Sequence, residues 1–304
     1  MKGIFRKILK IYCILLITGT VCFFAVGNFI YSYALVREPS AVSSEKEKLN
    51  WLEKNSEEKQ IISDDGLLLN GYFVKNPGAG HNYAVVCHGY SGDGTTMSSY
   101  AKRLYNMGMS VLCPDARASG KSEGNLIGMG YIEKRDIILW INEIVKADPD
   151  AQVLLFGVSM GGATVLFTGG ERDLPVCVKA IVSDCAFTSV YKEIGNVIRL
   201  YVPFAPDFPV VYSASLVCKI RAGFSFKEAS CVRAVKASET PTLFIHGSED
   251  TYVPFYMLDK LYNSAACPKE KLVVEGAKHA RSAKTNPELY WSTVESFAGK
   301  YINL

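Results

Sequence analysis

A serine, an acid and a histidine brought together would make this 304-residue chain a nucleophilic catalyst, and the sequence offers a candidate for each. The serine is Ser159, in the stretch LLFGVSMGG, where Gly157-Val158-Ser159-Met160-Gly161 reads G-x-S-x-G straight after an apolar run. A strand-turn-helix junction presents such a side chain at a sheet edge and aims backbone N–H groups at one point. Glycines at 157, 161 and 162 relieve crowding at that turn. A second match, Gly120-Lys121-Ser122-Glu123-Gly124, follows a strand that ends at Asp115 and runs on into glycine-rich loop. Ser122 therefore lacks the setting that Ser159 has.

A serine hydroxyl is a poor nucleophile at neutral pH and needs a base. The histidines are His81, His88, His246 and His279. In the serine-first order on a parallel sheet, acid and then histidine follow the serine. Only His246 and His279 satisfy that order. His246 lies within the apolar run TLFIHG and leaves little room for an intervening acid, whereas His279 lies in a loop after KLVVEG. Asp250, in HGSEDTYVP just past a strand end, is the expected acid; Asp184 after KAIVS is the second candidate, and Glu249 adjoins Asp250. An oxyanion would need two backbone donors: the N–H of Met160, and one from the loop after YAVVCHG, assigned to Tyr90.

Each of these residues has a plainer reading beside the catalytic one. Ser159 would be a turn serine, His279 a surface histidine, and Asp250 a turn or helix-cap aspartate. For His88 and Arg117 the plainer reading is the better one: a structural residue beside Gly89, and a loop brace.

The elements that must position these residues alternate. Strand-length apolar runs are expected at 83–89, 110–115, 152–157, 179–184, 242–247 and 271–276. Helical patterns fall at 96–108, 133–147, after Gly161 and at the C-terminus. QIISDDGLLLNGYFV reads as a hairpin turning at Asp65-Gly66. Continuously apolar strands alternating with helices imply an α/β fold, a mostly parallel sheet covered on both faces, with function at the strands' carboxyl ends. The stretch 187–235, rich in Tyr and Phe, breaks the rhythm and reads as a cap-like insertion.

Lys2, Arg6, Lys7 and Lys10 precede an uncharged stretch from Ile11 to Val36. As a helix at ~1.5 Å per residue it exceeds the ~30 Å hydrocarbon core. Residues 1–37 are thus expected to be a basic start plus a transmembrane anchor, followed by a polar stalk over 38–58 and the main domain over 59–304. The basic flank stays cytoplasmic, which sends the rest of a single-pass chain outside the cell membrane. The rival reading is a cleaved signal peptide, with small residues at Ala25-Val26-Gly27 and Ser32-Tyr33-Ala34, and a secreted product. Net charge is +3 with no dense basic arm, so no nucleic acid is expected. The nine cysteines form no C-x-x-C pair, so no metal is expected either. Cys218 and Cys231 are the one pair weighed for a disulfide.

Residues 60–304 resemble the α/β-hydrolase superfamily, in particular its bacterial serine-aminopeptidase-like and acyl-ester or thioester hydrolase group. The resemblance rests on His88-Gly89-Tyr90, Asp115-x-Arg117-x-x-Gly120-x-Ser122, Gly157-Val158-Ser159-Met160-Gly161-Gly162, His246-Gly247 with Asp250 and Val253-Pro254, and Lys278-His279-Ala280. Relatives often differ at Ala118-Ser119, which bears on loop shape. The resemblance implies Ser159 as nucleophile, Asp250 as acid, His279 as base, a packing role for the Ser122 loop, and no cofactor. The expected activity is hydrolysis of a small acyl ester, thioester or amide. The alternatives are an aminopeptidase, an acyltransferase, or an inactive membrane-tethered binding protein on a hydrolase scaffold.

Overall fold

The computed structural model describes residues 2–37 and 50–303. Most of the anticipated stalk, residues 38–49, lies outside them. Two compact units emerge: Met1–Val36 with Val190–Ala229, and Arg37–Ser189 with Ser230–Leu304.

The larger unit is built on an eight-stranded sheet, made of β1 (Glu57–Ile62), β2 (Leu68–Val74), β3 (Asn82–Cys87), β4 (Ser110–Pro114), β5 (Gln152–Val158), β6 (Val178–Asp184), β7 (Thr242–Gly247) and β8 (Lys269–Val274). Their order is β1-β2-β4-β3-β5-β6-β7-β8. β1 and β2 form the antiparallel hairpin, β2 runs antiparallel to β4, and all later pairings are parallel. The central strands are apolar on both faces because both are covered: Val85, Val86, Leu154, Leu155, Phe156, Ala180, Ile181, Val182 and Leu243 are all fully buried.

The helices of this unit are α2 (Trp51–Asn55), α3 (Ser98–Asn106), α4 (Glu133–Ala147), α5 (Met160–Gly169), α8 (Cys231–Ala237), α9 (Tyr256–Ser264), α10 (Ser282–Thr285) and α11 (Pro287–Ala298). The smaller unit holds α1 (Lys2–Leu35), α6 (Val190–Tyr201) and α7 (Tyr212–Ala222). α4 turns Ile137, Ile141 and Ile144 inward at helical spacing. α2 starts at a capping box, with Asn50 accepting from the Glu53 N–H and Glu53 accepting from the Asn50 N–H. Leu52 is fully buried and its N–H donates to Ser98 Oγ at 3.0 Å. Residues 50–58, anticipated as the end of a stalk, are thus α2 and the start of β1 within this unit. All nine cysteines are unpaired thiols, so the Cys218–Cys231 disulfide does not form.

In the smaller unit α1 crosses α7 closely. A Cβ added at Gly27 would lie 2.7 Å from the backbone of Ser213. Arg221 donates to Asn28 Oδ1 at 2.6 Å, and its guanidinium lies 4.5 Å from the Tyr31 ring centre. The stretch that broke the strand-helix rhythm at 187–235 contributes residues 190–229 to this unit.

One buried carboxyl gives the larger unit a pH dependence. Glu133 Oε1 accepts from the Gly128 N–H at 2.6 Å and Oε2 from the Gly130 N–H at 2.8 Å. Burial, opposed by these hydrogen bonds, pushes its pKa from 4.5 up to about 7. The folded state then holds a proton that the unfolded state releases. Stability from this group is fully present below pH 4.5 and is lost as pH rises through about 7. The loss is roughly 3 kcal/mol. Denaturant unfolding between pH 5 and 8 is expected to show this decline, flattened in Glu133→Gln.

Candidate active site

Ser159 sits between β5 and α5 at φ 58° and ψ −117°, a positive-φ conformation unusual for a residue with a side chain. Its N–H donates to the Asp184 carbonyl at 2.8 Å, tying the turn to β6. Glycine is required at two neighbours. A Cβ on Gly157 would fall 2.1 Å from the Gly161 carbonyl oxygen, and one on Gly161 would fall 2.0 Å from that of Cys87. The turn is closed by backbone packed on backbone, which is why G-x-S-x-G reports geometry here. A Cβ on Gly89 would be 3.7 Å from the Ser159 Cβ, so the loop after β3 runs beside the serine.

Ser159 Oγ lies 2.9 Å from His279 Nε2, and His279 Nδ1 lies 2.7 Å from Asp250 Oδ2. His279 comes from the loop after β8 and Asp250 from the loop after β7. The Asp250 carboxylate is fully buried, whereas the His279 side chain is 23% exposed. Asp250 Oδ1 accepts from the N–H groups of Tyr252 and Val253 at 3.0 and 2.9 Å. Burial pushes the Asp250 pKa up, but hydrogen bonds from His246 and His279 outweigh it and hold it at about 2. The ring of Tyr252 lies 5.0 Å from that of His279, centre to centre.

The other candidates are occupied elsewhere. Asp184 is buried, with Oδ2 accepting from the Tyr290 hydroxyl at 3.0 Å, and burial raises its pKa to about 6. His246 is also buried, with Nε2 2.9 Å from the Val253 carbonyl and 3.3 Å from Asp250 Oδ2. It braces the loop that carries Asp250. Glu249 donates its N–H to the Ala277 carbonyl at 3.0 Å, joining the two loops. His88 Nδ1 contacts the Gly89 carbonyl at 2.7 Å, and its Nε2 accepts from the Ala116 N–H at 3.0 Å, a structural staple. Ser122 Oγ donates to the Asp115 carbonyl and accepts from the Asn70 N–H, at 2.7 and 2.9 Å. Arg117 spans Asp136 and Asp65, a loop brace.

Sequence reasoning missed Arg37. Its Nη2 donates to the Tyr90 carbonyl at 2.7 Å, its Nη1 to Ser119 Oγ at 3.3 Å, and its guanidinium lies 5.5 Å from the Tyr90 ring centre. The residue reads in sequence only as the charge that ends the apolar segment. Among the described residues, Cys185, Asp250 and His279 offer ligand atoms within 4.8 Å of one another. Asp250 and His279 are already bonded to each other, and burial drives the Cys185 thiol well above its usual range, so the cluster lacks a ready thiolate.

A family model described as "Serine aminopeptidase, S33" matches residues 80–219, a span that includes Ser159. The chain has the α/β-hydrolase fold. Among solved α/β-hydrolases, the Pyrococcus furiosus esterase Pf2001 superposes with a TM-score of 0.70 at 21% identity, covering 88% of this chain and 98% of that one. The Pyrococcus horikoshii acylaminoacyl peptidase superposes at 0.61 and 18% identity, covering 81% of this chain and 41% of that one. In sequence, Bacillus subtilis YqkD is 28% identical over 245 residues, 78% of this chain and 77% of its own. The Saccharomyces cerevisiae membrane protein YNL320W is 25% identical over 243 residues, 79% of this chain and 78% of its own. Ahead of the α/β-hydrolase fold, α1 is long and apolar enough to cross a membrane, and fits an anchor or a signal sequence.

Proposed function

We propose that this α/β-hydrolase is a serine hydrolase that cleaves an ester or thioester through an acyl-enzyme on Ser159. The observation that carries the reading is the unbroken relay from Ser159 Oγ through His279 to the buried Asp250 carboxylate. His279 Nε2 takes the Ser159 proton as Oγ attacks the acyl carbonyl, and then gives that proton to the departing alkoxide or thiolate. Asp250 accepts from Nδ1–H, which fixes the tautomer and stabilises the imidazolium. Water then attacks the acyl-enzyme, losing a proton to Nε2. Ser159 is regenerated as that proton returns to Oγ. The N–H groups of Met160 and Tyr90 receive the oxyanion. The relay calls for no cofactor or metal.

The test is labelling of the full-length chain, in detergent micelles, with a fluorophosphonate probe. Labelling of wild type that Ser159→Ala abolishes supports the reading. A folded wild type that stays unlabelled sinks it and favours a binding protein on a hydrolase scaffold. The serine aminopeptidase description favours peptide bond cleavage as the second reading. Turnover of aminoacyl p-nitroanilides in preference to p-nitrophenyl esters would establish it.

Arg37 holds the carbonyl side of Tyr90 and so orients the proposed oxyanion loop. Arg37→Ala is expected to lower kcat with KM little changed, because an oxyanion contact is made in the transition state. Steady-state kinetics on a p-nitrophenyl ester checks this.

α1 serves as a single-pass anchor, its basic flank in the cytoplasm and the α/β-hydrolase domain outside. Protease protection in spheroplasts tests that orientation.

A further inference from the structure

In the smaller unit, the segment joining α6 to α7 presents a continuous apolar tip. Tyr201 is 79% exposed, Phe204 96% and Phe208 69%, with Leu200 and Val202 beside them. An exposed patch of this kind marks an interaction surface. Its place on α1 names the partner. The Phe208 ring centre lies 5.7 Å from that of Tyr212, and Tyr212 lies 6.3 Å from Phe23 of α1.

If the bilayer begins at Ile11, just after Lys10, about 20 residues at ~1.5 Å each carry α1 to Ile30. Phe23 is then roughly 10 Å inside the outer edge. α7 runs outward from that level: Ser213 meets Gly27, and Arg221 meets Asn28 and Tyr31 near the edge, where a guanidinium reaches water.

The backbone of the tip suits lipid too. Pro203, Pro206 and Pro209 remove three N–H donors from a stretch that leaves helical geometry. The N–H groups of Val202 and Ala205 donate to the Ile198 and Val202 carbonyls at 2.8 and 2.9 Å. The carboxylate there, Asp207, pairs with Arg199 at 2.6 Å and Lys192 at 3.1 Å.

We infer that the 200–212 tip is seated in the outer leaflet of the bilayer beside α1, a second, shallow membrane contact. The inference rests on α1 being an anchor, and the experiment separates the two. The full-length chain with Cys13→Ser and Cys22→Ser, the two exposed cysteines, is reconstituted in phosphatidylcholine nanodiscs. A nitroxide is placed at Phe204→Cys, at Phe208→Cys, at Val21→Cys in α1, or at Leu289→Cys in α11. Collision with oxygen and with a water-soluble nickel chelate is then measured.

The expected result is oxygen-dominated collision at 204, 208 and 21, and nickel-dominated collision at 289. Nickel-dominated collision at 204 and 208, with 21 still lipid-facing, overturns the tip and leaves the anchor. Nickel-dominated collision at 21 removes the anchor and the inference with it. Shielding of 204 from both colliders, with spin–spin broadening, would assign the patch to a second copy and also overturn the inference.

Discussion

Ser159→Ala is expected to lower kcat for an activated acyl ester on the order of a million-fold, the cost of removing a serine nucleophile elsewhere. The residual rate above water would come from backbone oxyanion donors and substrate binding. The fold should survive, because Oγ contributes its hydrogen bond to His279 and the turn is held by backbone packing at Gly157 and Gly161. Circular dichroism alongside steady-state kinetics makes the measurement. Near-wild-type turnover by folded Ser159→Ala would end the assignment. Ser122→Ala is the companion variant. Its hydroxyl joins the Asp115 carbonyl to the Asn70 N–H, so its loss should reduce stability and leave chemistry in place.

Asp250→Asn should cost about ten-thousand-fold in kcat, because an amide facing Nδ1 favours the wrong imidazole tautomer. Asp184→Asn is the discriminating contrast. Asp184 accepts from Tyr290, not from His279, and its replacement should leave turnover near wild type. Equal damage by both variants would break the assignment of the acid. With its pKa held at about 2, Asp250 stays ionised through the working range. Its contribution to stability is present above pH 3.8 and is lost only as pH falls through about 2, so it does not set an acid limb of the rate profile.

The sheet and the serine turn were legible because both are written locally. Continuous apolar strands and a glycine pattern at a strand end need no distant partner to be read. Chain order set aside His81 and His88 but left His246 and Asp184 in play beside the proposed base and acid, and the structure finds Asp184 bonded to Tyr290 and His246 to the Val253 carbonyl. Arg37 was not legible, since its partners Tyr90 and Ser119 lie 53 and 82 residues away. The packing of α1 was equally hidden. Gly27 in an apolar helix reads the same whether it faces lipid or Ser213. For the same reason the insertion could be seen in sequence, but not its joining with α1 in one unit.

That joining bears on how the chain matures and how it is handled. The two peptidase-like sites, at Ala25-Val26-Gly27 and Ser32-Tyr33-Ala34, lie within the half of α1 that meets α7. A leader that is discarded after export has no reason to be built into a folded unit. Scission after Gly27 would part Gly27 from Ser213, and scission after Ala34 would part Asn28 and Tyr31 from Arg221 as well. The secreted form would carry a raw apolar flank along α7 and tend to aggregate. Trimming the first 36 residues to obtain a soluble preparation would do the same damage. Mature chains isolated from cells should therefore retain their N-terminal residues.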